Sequence, residues 1–316
     1  MENFIFSLNV TIPIFLVMAL GWGLRQTGML NDNFVAAANK FNFNVTLPVL
    51  LFRDISSVDI RAVFDLNYVL FCAAASSACF WLIWGGTKLC LKDKYMTGAF
   101  VQASFRSSAA VMGLAFIQNL YGQSAMGPLM IVGAVPLYNI YSVIVLTFEG
   151  AAEEKAAPLA KIRKAFLNIL KNPIIISIFL GLLASFFQID FPVIADKTIA
   201  NVAQMATPLA LISLGAGYEG RKALAKIKPT FAAAFIKLVV QPALFVPVAA
   251  VMGFTGEKMI GILIMLASPT TPSCYIMAKN MGYEGSFTSA TVMLTTLCSA
   301  FTVTGWLYVL RSLSLI

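Results

Sequence analysis

The sequence predicts an all-α membrane protein: ten transmembrane helices in an inverted 5+5 repeat, with broken, crossing fourth and ninth helices. Three observations predict it. The 316 residues are 59% hydrophobic and only 11% charged, outside the range of soluble domains. The apolar residues fall into runs of about 20, the length a helix needs to cross a bilayer. One run, Met259–Asn280, holds Pro269 and Pro272 among the hydroxyls of Ser268, Thr270, Thr271 and Ser273. Two prolines so close cannot sit in one unbroken helix, because each lacks an N–H donor and clashes with the preceding turn. In lipid such a break is tolerated only inside protein or beside a wet cavity. The competing reading is a plain proline kink packed by its neighbours.

The spans follow in order: Phe4–Leu24, Phe34–Phe52, Tyr68–Leu89, Gly98–Leu120, Gly127–Phe148, Pro173–Phe187, Ala195–Gly217, Thr230–Phe254, Met259–Asn280 and Phe287–Leu310. The second, fourth, seventh and ninth are less apolar and are expected to line the interior. Between the fifth and sixth, residues 149–172 are polar, basic and alanine-rich, and read as a cytoplasmic connector between the halves 1–148 and 173–316. Backbone-special residues recur at an offset of 160: Pro13 and Pro173, Gly21 and Gly181, Pro48 and Pro208, Gly122 and Gly282. Five spans per half is an odd number, so the second half is inverted relative to the first, and the fourth span pairs with the ninth.

Loop charge sets the orientation. With ten spans, Lys and Arg divide fifteen to five between the two sides. The richer side is cytoplasmic and both termini lie outside. The net charge of +8 sits in short loops, which does not suggest nucleic acid. The five cysteines have no metal-ligand spacing, and there is no histidine. No nucleophile elbow or Walker loop is present, so no enzyme is expected, and no cofactor.

The polar residues inside the spans point to the chemistry. Arg106 lies in the fourth span and Lys237 in the eighth, and an intramembrane charge is a functional hypothesis by default. For Arg106 the alternative is snorkelling to the interface. For Lys237 it is a structural role, capping a broken helix. Asp54 and Glu149 stand at span ends, so the interior offers cations, hydroxyls and amides: Asn42, Asn44, Asn139, Gln204 and Gln241. That lining suits an anion, which half-helix N-termini also favour. Asn42, Asn44 and Gln204 read equally as interhelical hydrogen-bonding residues.

These residues resemble the auxin efflux carrier family, especially its short bacterial members, which include malonate and other organic-acid permeases. The matching residues are Leu47, Pro48 and Phe52; Phe105-Arg106, Met112-Gly113 and Tyr121-Gly122; Pro136 with Asn139; Asn172-Pro173; Thr207-Pro208 and Leu214-Gly215; Lys237, Gln241 and Pro242; Pro269-Thr270 and Ala278-Lys279. The resemblance covers nearly the whole chain and implies several things. Spans 1, 2, 6 and 7 would form a scaffold that is often a homodimer contact, and spans 3–5 and 8–10 a transport domain moving like an elevator. The substrate would be a small carboxylate anion in a bacterial cytoplasmic membrane, held near the crossover by Ser108, Asn139, Thr270, Thr271 and Ser273, with Arg106 lending positive potential. Related bile-acid symporters raise Na+ as a coupling ion. A non-transporting receptor is the alternative of another class. The sequence departs from the family pattern at Ser107-Ser108, where many bacterial members read Gly-Asn, at Ala115 in place of proline, and at Cys274, with Pro272 instead.

Overall fold

The structure is a computed structural model that describes residues 2–57, 65–91, 93–109, 126–150 and 158–316. Among these residues all regular structure is helical. Met112, Gly113, Ala115, Tyr121 and Gly122, singled out above, lie outside the described residues.

Helix α1 spans Glu2–Gln26. Asn31 then caps α2 (Asp32–Phe41), accepting from the Phe34 N–H at 2.9 Å. A π-helical stretch, Asn42–Thr46, joins α2 to α3 (Leu47–Ser56). The cause is Pro48, which has no N–H for the carbonyl four residues back, so the ladder widens over the preceding turn. Asn42 holds the bulge together: its amide donates to Ala206 O at 3.0 Å and its oxygen accepts from Thr46 Oγ1 at 2.7 Å. Helix α4 (Leu66–Cys90) is capped by Asp65, which accepts from the Tyr68 N–H at 3.0 Å. Then come α5 (Lys94–Phe105) and α6 (Met126–Phe148).

The stretch read as a connector contains a 14-residue helix, α7 (Pro158–Lys171). Pro158 opens it, and basic residues alternate with apolar ones at helical spacing, leaving Phe166, Leu167 and Leu170 exposed. Asn172 caps α8 (Pro173–Phe186), whose first residue is Pro173, and α9 (Val193–Gln204) and α10 (Ala206–Ala216) follow. A short α11 (Gly220–Ala225) leads to α12 (Ile227–Phe235), a second π-helical stretch (Ile236–Val240) and α13 (Gln241–Val251). Here Pro242 frees the carbonyl four residues back, that of Leu238, and the Trp306 indole N–H donates to it at 3.0 Å. The chain ends with α14 (Gly256–Ala267), α15 (Ser273–Asn280) and α16 (Ser286–Ser312).

Among the described residues, five helical stretches are long and apolar enough to cross a membrane: Leu66–Cys90, Leu129–Phe148, Val193–Ala216, Ile227–Val251 and Ser286–Ser312. Helix α1 packs along α10 and α16, α3 along α8, and α4 along α6. The α1–α10 seam is set by Gly21 and Gly215. A Cβ on Gly21 would fall on the Ile212 backbone, and one on Gly215 on the Met18 backbone. Backbone meets backbone there, as small residues allow between membrane helices.

Candidate functional site

Two points where a helix stops meet in the fold. Helix α5 stops at Phe105, and Arg106, Ser107 and Ser108 have no regular secondary structure. Helix α14 stops at Ala267, and α15 starts only at Ser273. The breaks bond to each other through backbone and side chain. The Ser108 N–H donates to Pro269 O at 2.9 Å, and the Ser107 and Ser268 hydroxyls lie 2.5 Å apart. Thr270 Oγ1 donates to Ala103 O at 2.7 Å, and the Thr270 N–H donates to Thr295 Oγ1 at 3.1 Å. These bonds satisfy groups that a broken helix strands away from water.

The ends of α5 and α14 have a second set of partners. Lys237, fully buried in the second π-helical stretch, donates to Leu266 O at 2.7 Å and to Gln241 Oε1 at 3.3 Å. Gln241 in turn donates to Ser104 O at 2.5 Å. One cation and one amide thus cap the last turn of both helices, where the carbonyl end of the helix dipole favours positive charge. The structure therefore places Lys237 and Gln241 behind the breaks.

Arg106 turns inward. Its residue is 3% exposed, so the guanidinium does not reach the interface. One nitrogen donates to Asn139 Oδ1 at 2.7 Å, and another to Ser142 Oγ and to the Met277 sulfur, both at 3.4 Å. Asn139 is oriented by its own amide, which donates to Val135 O at 2.9 Å. Among the described residues, Arg106 makes no ion pair.

A cavity of about 70 Å³ opens against this group. A cavity of ~10–15 Å³ on this measure holds one water, so the space takes several waters or a small ion. Its lining includes Arg106, Ser107, Ser108, Asn139, Thr270, Thr271, Ser273 and both prolines, Pro269 and Pro272. Thr271 and Ser273 hydroxyls lie 3.1 Å apart at the start of α15, whose N-terminal end carries partial positive charge. The six candidate binding residues are thus together. Asn44 is not among them: its amide donates to Lys40 O at 2.7 Å, and it lines a separate cavity of about 570 Å³ with Lys171 and Asn280. Gln204, an interior amide on the sequence reading, is exposed at the end of α9.

The cavity has lining that sequence reasoning missed. Asp54 reaches it from α3, Tyr138 from α6 and Thr207 from α10. Thr207 is itself a matched residue and Tyr138 lies between the matched Pro136 and Asn139, so both were within reach. Asp54 gave no signal, because a carboxylate next to Arg53 at the end of a span reads as an interfacial residue.

A buried cation where two helices end, inside a bundle of apolar helices, fits a membrane transport protein. The chain belongs to the auxin efflux carrier family, whose family model, described as "Membrane transport protein", matches residues 6–307. It is a multi-pass membrane protein. It is 27% identical over 326 residues to the "Putative malonate transporter" of Rhizobium meliloti (strain 1021), covering 96% of each chain. It is 23% identical over 319 residues to the "Uncharacterized transporter YfdV" of Escherichia coli (strain K12), covering 98% of this chain and 99% of that one.

Proposed function

We propose that this protein is a secondary transporter of a small mono- or dicarboxylate. The observation that carries the proposal is Arg106. Among the described residues, this buried guanidinium lines a cavity and donates only to neutral acceptors, and a buried cation without a counter-charge is costly. An anion in the cavity supplies the missing charge, with hydroxyls from both breaks to bond its oxygens. The malonate named for the Rhizobium relative is chemistry of that kind.

The proposal includes the ten-span inverted repeat and an elevator-type motion in a bacterial cytoplasmic membrane, with both termini outside and the scaffold helices as a homodimer contact. Packing supports the symmetry. The first span lies on the seventh (α1 on α10) as the sixth lies on the second (α8 on α3). Gly21 and Gly181, 160 residues apart, each sit where a Cβ would meet the partner helix backbone. Sodium coupling has one observation in its favour: the Gln102 carboxamide and Ser104 hydroxyl, on the last turn of α5, are buried without hydrogen-bond partners among the described residues.

The test is thermal stabilisation of the purified protein by a panel of small carboxylates, with and without sodium, against matched amines. A ligand that binds the folded state raises its apparent stability by mass action. Carboxylates should raise the melting temperature and amines should not, and the active carboxylate should then move into proteoliposomes. A shift that requires sodium establishes coupling to it. Stabilisation by amines alone, or binding without flux, would overturn the proposal.

A further inference from the structure

Among the described residues, Asp54 is the one acidic side chain lining the crossover cavity. It is half-buried on α3, within the last turn and a half of that helix. Among the described residues its carboxylate accepts no hydrogen bond and makes no ion pair. A carboxylate in the wall of an anion-binding cavity works against the anion, and that conflict needs a resolution.

Among the described residues, each element packed around Asp54 brings few charges. On α3 itself the neighbour is Arg53, half-buried and without an ion pair to Asp54. Helix α8 has no titratable residue. Helix α9 carries Asp196 and Lys197, both exposed. The π-helical stretch 42–46 has none. Helix α6 contributes the Tyr138 phenol, which donates to Met265 O at 3.2 Å. Across the cavity stands Arg106. Within the lining, therefore, one positive and one negative group face the same small space, too far apart to pair.

Adding a carboxylate to that space gives two negative charges against one positive. Like charges sharing a poorly solvated site disfavour joint ionisation, so one of them takes up a proton. Resting on the carboxylate reading above, we propose that Asp54 is a proton-binding site, and that an anion entering the crossover cavity brings one proton with it onto the Asp54 carboxyl. The proton comes from the water that reaches the cavity, forms an O–H bond on Asp54, and returns to water when the anion leaves. Nothing is oxidised or reduced. Anion and proton then bind with positive coupling, and a site loaded with a monocarboxylate carries one positive and one negative charge. That reciprocity makes the carrier a proton–carboxylate symporter.

Isothermal titration with malonate, succinate and acetate between pH 6.5 and pH 8.5 tests this. One linked proton weakens binding by up to about tenfold per pH unit as the pH rises. Wild-type affinity should fall in this way, and binding heats should differ between buffers of different protonation enthalpy. Asp54→Asn should bind with an affinity that is flat in pH and a heat independent of buffer, and Asp54→Glu should restore the slope. Asp54→Ser provides a second neutral variant should the first fold poorly. Wild-type binding that is flat in pH and buffer overturns the proposal, as does an Asp54→Asn slope equal to wild type. No binding of any of the three carboxylates to wild type is a different result: it removes the carboxylate reading itself.

Discussion

Arg106 and Asn139 meet at 2.7 Å, the guanidinium donating to a carboxamide oxygen where a buried cation would ordinarily find a carboxylate. The choice of amide over acid matters. A neutral acceptor fixes the direction of the guanidinium and leaves its charge uncancelled. Asn139→Asp would place a negative charge on Arg106 with almost no change of shape. Carboxylate binding should weaken by about 10- to 100-fold, the loss of ~1.5–3 kcal/mol that a charge-assisted hydrogen bond represents. Stability should be retained, because the new pair is matched. Titration calorimetry beside thermal unfolding reads both, and binding as tight as wild type would remove Arg106 from the anion site.

Arg106→Ala should abolish carboxylate uptake in proteoliposomes while the protein still reaches the membrane folded. Arg106→Lys should recover only part of the binding, since an ammonium cannot hold Asn139 and a ligand in one planar fork. Uptake by Arg106→Ala at the wild-type rate would contradict the role given to this residue.

Lys237 has no place in the cavity lining, so its loss should be felt in stability first. Lys237→Met keeps the stem and removes the ammonium, leaving Leu266 O and Gln241 Oε1 without this donor. The unfolding free energy should fall by ~1–3 kcal/mol, the cost of an unsatisfied buried acceptor. A melting temperature unchanged from wild type would mean that other groups or water take over the carbonyl.

Gly215→Val drives a side chain into the Met18 backbone. Overpacking of this kind costs ~1–3 kcal/mol and here falls on rigid main chain, so the upper end is expected. Gly21→Val acts on the same seam, and the double variant should lose less than the sum of the two. Unfolding midpoints in detergent measure this, and full additivity would show the two contacts to be independent.

Asp65, just outside α4, pairs with Lys258, just inside α14. The hydrogen bond from Lys258, and then that from the Tyr68 N–H, hold its carboxyl below the usual aspartate range. A depressed folded value means stability that is present above the ordinary aspartate pKa and lost as the pH falls through the lower folded value. Asp65→Asn keeps the helix cap and removes the charge. It should cost under ~1 kcal/mol at neutral pH, because the pair is partly exposed. The gap to wild type should close in acid, and a gap that widens there would contradict the pairing.

How much of this was legible in the sequence depends on the residue. Apolar runs announce membrane helices because few other structures use them, and prolines at 269 and 272 announce a gap because their chemistry forbids the ladder. Family motifs mark Arg106 and Asn139. Other features depend on rotation about a helix axis, which local spacing near a bulge does not determine. Asn44 falls in a π-helical turn, and its side chain faces another cavity. Asp54 lies past that turn, and whether it faced the cavity or the surface could not be read from its neighbours. Helix α7 was obscured by composition, since alanine and lysine serve loops and helices alike.

The residues that cap the ends of α5 and α14 lie one turn apart on a single rod. Lys237 holds the end of α14 and Gln241 holds the end of α5, and the two side chains hold each other. Neither helix end can shift without dragging that shared pin, and the pin cannot leave one without releasing the other. Two gaps distant in the chain are in this way a single mechanical part, so damage at either should be felt at both.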